Sequence, residues 1–214
     1  IKMLAKSILI SFIGLCLSVP AFGKQYWPTI EWKTSSPQSQ DFDPRSISEM
    51  FEFIRKKQFP IDSVVIVKNG YLIGEFYSNN TNEHTLGNIY SVTKSFTSAL
   101  VGIAIDKGHL KSEEQTLGSI FSKNNVIKDE PKLKDIRVQN LLTMTSGLKT
   151  RDNHLSNYSG IFALRNSKNW VDYIFSLGTE EKQGEIYNYS NGGSHILAAI
   201  LAEITGVSVE KYAE

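Results

Sequence analysis

Hydrophobic and polar positions along this chain follow two periods, and the switch between them divides it. After Ser46, the residues Ile47, Met50, Phe51 and Ile54 recur on one face of a 3.6-residue helix. Ser46 with Glu49 three positions on has the form of a capping box that starts this helix, and Pro60 closes it. The period then shortens to two. Residues 63–67 and 71–77 are rich in β-branched and aromatic side chains and flank Lys68-Asn69-Gly70, whose Asn-Gly pair supplies the positive φ of a tight hairpin turn. From Ser91 the helical period returns: Val92, Phe96, Ala99, Leu100, Ile103 and Ala104 are apolar or small, and Gly108 marks the stop. Small residues on its other positions, including Ser95, Ser98 and Gly102, predict a helix packed on all sides. Further helices are predicted over 138–144, ending near Gly147, over 168–177, ending at Gly178, and over 193–205, ending at Gly206. Ser208 opens one more. Helix, hairpin and a run of helices make an α+β pattern.

The ends of the chain depart from this pattern. Lys2 and Lys6 precede an apolar run over 8–19, and Ala21 and Gly23 stand at the small-residue positions of a cleavage site. These features describe a secretory signal peptide over 1–23, cleaved after Gly23. The run is too short for a membrane anchor, so the expected product is periplasmic or secreted with no stable anchor. Leu15 before Cys16 argues against a lipoprotein signal. Residues 24–40 are polar, with Pro28 and Pro37, and read as an extended linker. Residues 41–214 remain as the folded domain.

Composition narrows the choices. With 41% hydrophobic and 21% charged residues the chain is globular rather than disordered. Its 23 basic and 22 acidic residues form no basic block, so nucleic acid is not an expected partner. The single cysteine, Cys16, falls inside the signal, which leaves the mature chain without a disulfide, thiol nucleophile or thiolate metal site.

Among chemical motifs, no G-x-x-x-x-G-K-[ST] phosphate loop and no G-x-G-x-x-G are present. His84, His109, His154 and His195 lie too far apart for an H-x-x-x-H site and read as surface or packing residues. Gly192-Gly193-Ser194-His195-Ile196 lacks the last glycine of a nucleophile elbow. What remains is S-x-x-K, which puts a serine and a lysine on one helix face. A lysine desolvated there disfavours its charged form and can serve as base to the hydroxyl. The pattern occurs three times. Ser146-Gly-Leu-Lys149 contains a turn glycine, so its side chains have no fixed relation. Ser208-Val-Glu-Lys211 opens an ordinary amphipathic helix, with Ser208 as N-cap and Lys211 in solvent. Ser91-Val-Thr-Lys94 opens the helix of small residues and is the candidate pair, with a plain N-cap as the other use of Ser91. Y-x-N occurs twice: Tyr77-Ser-Asn79 ends the hairpin and reads as a turn, whereas Tyr189-Ser-Asn191 precedes a helix. A tyrosine beside a lysine can relay a proton, and an asparagine can hold the lysine and a substrate amide.

Three segments together carry a resemblance: Tyr90-Ser-Val-Thr-Lys-Ser95, Val138-Gln-Asn-Leu-Leu-Thr-Met-Thr-Ser-Gly-Leu148 and Tyr187-Asn-Tyr-Ser-Asn-Gly192. In this order they resemble the serine β-lactamase-related family, which includes class C β-lactamases, D-alanyl-D-alanine carboxypeptidases, esterases and 6-aminohexanoate-oligomer hydrolases. The resemblance runs from about Asp41 to the end. It implies an α+β, β-lactamase/transpeptidase-like fold, an antiparallel sheet plus a helical region. It also implies Ser91 as acylated nucleophile, Lys94 as its base, Tyr189 as proton relay and Asn191 as a contact to Lys94 and substrate. The Ser91 N–H would form half of an oxyanion hole. No metal or organic cofactor is implied; the substrate is a small molecule or peptide with an amide or ester bond. The family's third motif, Lys/His-x-Gly, has no match after Asn191, so the expected fold is truncated before its C-terminal strands. Residues 24–214 alone are then expected to be poorly soluble and without turnover. Two alternatives stand beside an amide or ester hydrolase: a β-lactamase or D-alanyl-D-alanine carboxypeptidase, and a non-catalytic binding protein on the same scaffold. The substrate pocket is expected to draw on the loop over 149–159.

Overall fold

A computed structural model of the chain describes residues 26–149 and 159–214. The segment read as a signal peptide with its expected cleavage site, Cys16, and most of the 149–159 loop lie outside the described residues. The chain forms two compact units, one reaching to Gly87 and one running from Asn88 to Glu214.

In the first unit, α1 spans Pro44–Lys57. It starts earlier than the expected capping box. Asp43 is the N-cap, its carboxylate accepting the Arg45 N–H, and Pro44 opens the helix. An aspartate followed by a proline satisfies both preferences of a helix start, the acceptor side chain at the cap and the preset φ after it. The Ser46 hydroxyl instead donates to the Asp43 carboxylate at 3.5 Å. Strands β1 (Ser63–Lys68) and β2 (Tyr71–Tyr77) pair antiparallel in a two-stranded sheet. The turn between them is the one predicted: Asn69 and Gly70 have φ of 51° and 83°. Gly70 has a second constraint, because a Cβ there would collide with the Tyr26 carbonyl oxygen. Ile47 and Ile54 of α1 and Ile73 and Phe76 of β2 are buried, and the Phe51 and Phe76 rings stack 5.6 Å apart. Part of the segment read as a linker lies along β2: Ser35 N–H donates to the Leu72 carbonyl, and Leu72 N–H donates to that of Lys33.

The second unit is helical. A 3-10 turn at Tyr90–Val92 leads into α2, Thr93–Asp106. Short helices α3 (Leu117–Ile120), α4 (Asn125–Asp129), α5 (Pro131–Lys134) and α6 (Val138–Leu142) follow. Then come α7 (Ser159–Asn166), α8 (Trp170–Ser176), α9 (Asn191–Thr205) and α10 (Val209–Ala213). Helices α3 to α5 were not expected, because four or five residues are too few to show a period. Their caps carry the signal instead, Thr116 and Asn124 accepting backbone N–H groups and Pro131 opening α5. Helix α9 is central to the core: Ile196, Ile200 and Leu201 pack in one buried cluster with Val101 and Ala104 of α2 and Leu141 of α6. The all-round burial expected of α2 is not found. Its buried residues are Thr97, Val101 and Ala104, a stripe of four- and three-residue steps on one face. Phe96 and Ile103, on other faces, remain 61% and 42% exposed.

Candidate active site

Ser91 lies in the 3-10 turn that feeds α2, directly after Tyr90, whose φ of 43° is left-handed. Such a conformation is costly for a side chain of this size and persists where surrounding structure imposes it. Ser91 does not act as a cap, since the N-cap of α2 is Val92, with no side-chain capping bond. Its hydroxyl faces Lys94, in the first turn of α2, at 3.2 Å from Nζ.

Two more groups arrive from the N-terminal end of α9 and the residue ahead of its cap. The Tyr189 hydroxyl donates to Ser91 Oγ at 2.7 Å. Lys94 Nζ donates to Asn191 Oδ1 at 2.8 Å and sits 4.8 Å from the centre of the Tyr189 ring, a cation–π distance. All four residues singled out in the sequence are therefore joined in one connected set of contacts through Ser91 and Lys94, although Ser91 and Tyr189 are 98 positions apart. Lys94 and Asn191 are half-buried, and Tyr189 keeps 36% of its surface exposed. Reactants and water can reach the hydroxyl cluster from solvent.

The local sequence explains how the far segment is held. Ser190 is the buried N-cap of α9, its Oγ accepting the Gly193 N–H at 2.7 Å, so that Tyr189 and Asn191 flank a fixed helix start. The Thr-Ser-Gly turn after α6 is stitched to the approaching strand of chain: Gly184 N–H donates to the Thr145 carbonyl and Glu180 N–H to that of Gly147. Gly147 has φ of 71°, and a Cβ on it would strike the Glu181 carbonyl oxygen. Sequence reasoning found Ser190 only as the middle of Y-x-N; a serine immediately before a helical run is the signal for its capping role.

The competing motif copies do other work. Ser146 is buried, and its hydroxyl accepts the Leu148 N–H at 3.4 Å. Ser208 caps α10 through the Lys211 N–H, while Lys211 Nζ pairs with Glu214 at the surface. Tyr77 donates to Glu75 at 2.6 Å, and this bond pushes its pKa up to about 12. The His195 ring lies 4.9 Å from that of Trp170, and burial lowers its pKa. Among the described residues no group of three His, Cys, Asp or Glu side chains is placed to hold a metal ion, and no helix is long and apolar enough to cross a membrane. His154 lies outside them.

The family model described as Beta-lactamase matches residues 47–214. Among solved structures, a Bacillus anthracis protein assigned as a 6-aminohexanoate-dimer hydrolase is similar to this chain with TM-score 0.61 and 21% identity, over 86% of this chain and 50% of that one. FmtA from Staphylococcus aureus is similar with TM-score 0.58 and 18% identity, over 87% and 50%. An octameric penicillin-binding protein homologue from Pyrococcus abyssi gives TM-score 0.59 and 25% identity, over 80% and 41%. This chain thus spans half or less of the length of these three proteins. No curated protein matches it.

Proposed function

The chain belongs to the Beta-lactamase family and has its β-lactamase/transpeptidase-like fold, and on that premise we propose that it is an exported serine hydrolase cleaving an amide or ester bond through acylation of Ser91. The observation that carries this reading is the meeting of Lys94 Nζ and Tyr189 OH on one oxygen, Ser91 Oγ. In the amine form, Lys94 keeps one N–H on Asn191 Oδ1 and turns its lone pair to the Ser91 hydroxyl. It takes that proton as Oγ bonds to the substrate carbonyl carbon. The carbonyl electron pair moves onto oxygen, where the Ser91 N–H is the expected donor. Collapse of the tetrahedral adduct expels an amine or alkoxide, which receives its proton from Tyr189; Lys94 restores the proton to the tyrosine. Water then attacks the acyl-serine by the reverse relay, releasing the acid and free Ser91. Asn191 keeps Nζ aimed and offers its amide to the substrate.

A fluorophosphonate probe applied to the full-length protein, followed by peptide mapping, tests the assignment: label belongs on Ser91 and disappears in Ser91→Ala. Label on Ser146 or Ser208 would overturn it. Turnover of p-nitrophenyl esters compared with a chromogenic cephalosporin then separates an esterase or amidase from a penicillin-directed enzyme. Export is supported by Lys2, Lys6 and the apolar run over 8–19. The secreted product should begin at Lys24, and a mature protein that retains residues 8–19 would refute cleavage after Gly23.

A further inference from the structure

We propose that Met144 is a positioning residue for Tyr189, holding the backbone N–H of the residue before it and of the residue after it so that the phenol hydroxyl stays on Ser91 Oγ. The proposal rests on the reading of Tyr189 as the relay to the leaving group. Two bonds carry it. The Met144 carbonyl accepts the Asn188 N–H at 2.8 Å, and the Met144 thioether sulfur accepts the Ser190 N–H at 3.4 Å. One residue thereby grips both neighbours of Tyr189 in the chain. Met144 is itself anchored: its N–H donates to the Leu141 carbonyl, the Thr145 N–H donates to that of Asn140, and the Thr143 and Thr145 hydroxyls meet at 2.8 Å. Its φ is 57°, left-handed for a residue with a long side chain. The helical course of α6 is broken there, and the carbonyl and side chain of one residue face the same passing segment.

The side-chain oxygen of Asn188 does not share this task, because Oδ1 is buried without a hydrogen-bond partner. Met144 thus adds a backbone hold and a side-chain hold to the Ser190 cap and to the Tyr189 and Asn191 bonds already described. Sulfur suits the position: it accepts weakly, carries no charge and sits at the end of a flexible chain that fills irregular space. Leucine would fill similar volume but leave the N–H of the buried Ser190 without that acceptor. The effect would be amplified at the far end of the tyrosine ring, where a small backbone rotation displaces the hydroxyl most.

The test is a leaving-group series in the full-length protein. A p-nitrophenolate departs without being protonated, whereas an alkoxide or amine needs the relay proton. In Met144→Leu, acylation by alkyl esters or amides should fall about tenfold, the upper scale of one net hydrogen bond, while p-nitrophenyl ester acylation should change less than about twofold. Met144→Gln, which presents an amide oxygen at similar reach, should recover most of the alkyl-ester rate. A loss equal across leaving groups, no loss, or no difference between the Gln and Leu variants would overturn the proposal. If Met144→Leu does not fold, norleucine at position 144, which replaces only the sulfur, must give the same split for the proposal to stand. Ser91 labelling in the parent protein is read alongside: absence of label there refutes the relay reading itself, whereas a labelled parent with an unsplit variant refutes only the role of Met144.

Discussion

Ser91–Lys94 and Ser208–Lys211 have the same spacing, each at the start of a helix, and they are put to opposite uses. At Ser208 the hydroxyl accepts the backbone N–H of Lys211, and the lysine ammonium turns outward to Glu214. At Ser91 the hydroxyl meets the lysine Nζ itself, and the lysine turns inward to Asn191. The helix start supplies proximity in both places. The difference lies in what stands opposite: nothing in the chain crosses the N-terminus of α10 to meet Ser208 Oγ among the described residues, while the segment ahead of α9 brings Tyr189 to 2.7 Å from Ser91 Oγ. A serine three residues before a lysine becomes a candidate nucleophile when a third group occupies its hydroxyl and a fourth occupies the lysine, so that capping is no longer the best bond available.

The largest test of this contrast is to remove each hydroxyl. Ser91→Ala should lower ester or amide turnover by on the order of 10⁵–10⁶, the scale seen when a catalytic serine is deleted. Ser208→Ala should leave turnover unchanged and cost about 1 kcal/mol of stability, as for loss of an N-cap; steady-state rates and thermal melts of the two variants read both. Equal losses of turnover would dissolve the distinction. The lysines should split in the same way by a smaller factor. Lys94→Ala should slow acylation by about 10²–10⁴, as for loss of a general base, and Lys211→Ala should leave it unaltered, its surface pair with Glu214 being worth little. Stopped-flow acylation measures both.

The smallest expected effect concerns stability near the site rather than chemistry in it. Burial against Trp170 lowers the pKa of His195 below its ordinary value of 6.5. As pH falls through 6.5, the unfolded chain takes up a proton that the folded chain still refuses, so folding weakens with acidification until the lowered folded value is passed. Denaturant midpoints followed from pH 7.5 downward should show this slope, and His195→Phe should flatten it. A slope of unchanged size in the variant would assign the effect to another group.

Much of the architecture was legible because it depends on neighbours in sequence. Asn69-Gly70 announced the hairpin through φ values that few other residues adopt, and Ser208 and Gly206 announced a helix start and stop through their own caps. Where local signals compete, the chain alone misleads: Ser46 and Glu49 formed a plausible capping box, but Asp43-Pro44 offered a better start. Helices α3 to α5 were hidden for want of length. The candidate site was legible only in part. Ser91, Lys94, Tyr189 and Asn191 were picked out by ordered motifs, yet the local reason for preferring Ser91, a helix packed on all sides, is not what distinguishes it; α2 buries a single stripe and Lys94 is half-buried.

By itself the sequence determined the turns, caps and amphipathic stripes, because each rests on hydrogen bonds or side-chain contacts within about four residues. The tertiary structure alone decided which of three S-x-x-K copies and which of two Y-x-N copies face each other, and that Met144 grips the segment between them. Those contacts span 44 to 98 residues. They exist because α2, α6 and α9 share one apolar core, with Val101, Leu141 and Ile196 packed in it, and a buried stripe specifies that a helix must be covered without specifying which distant segment will arrive to cover it.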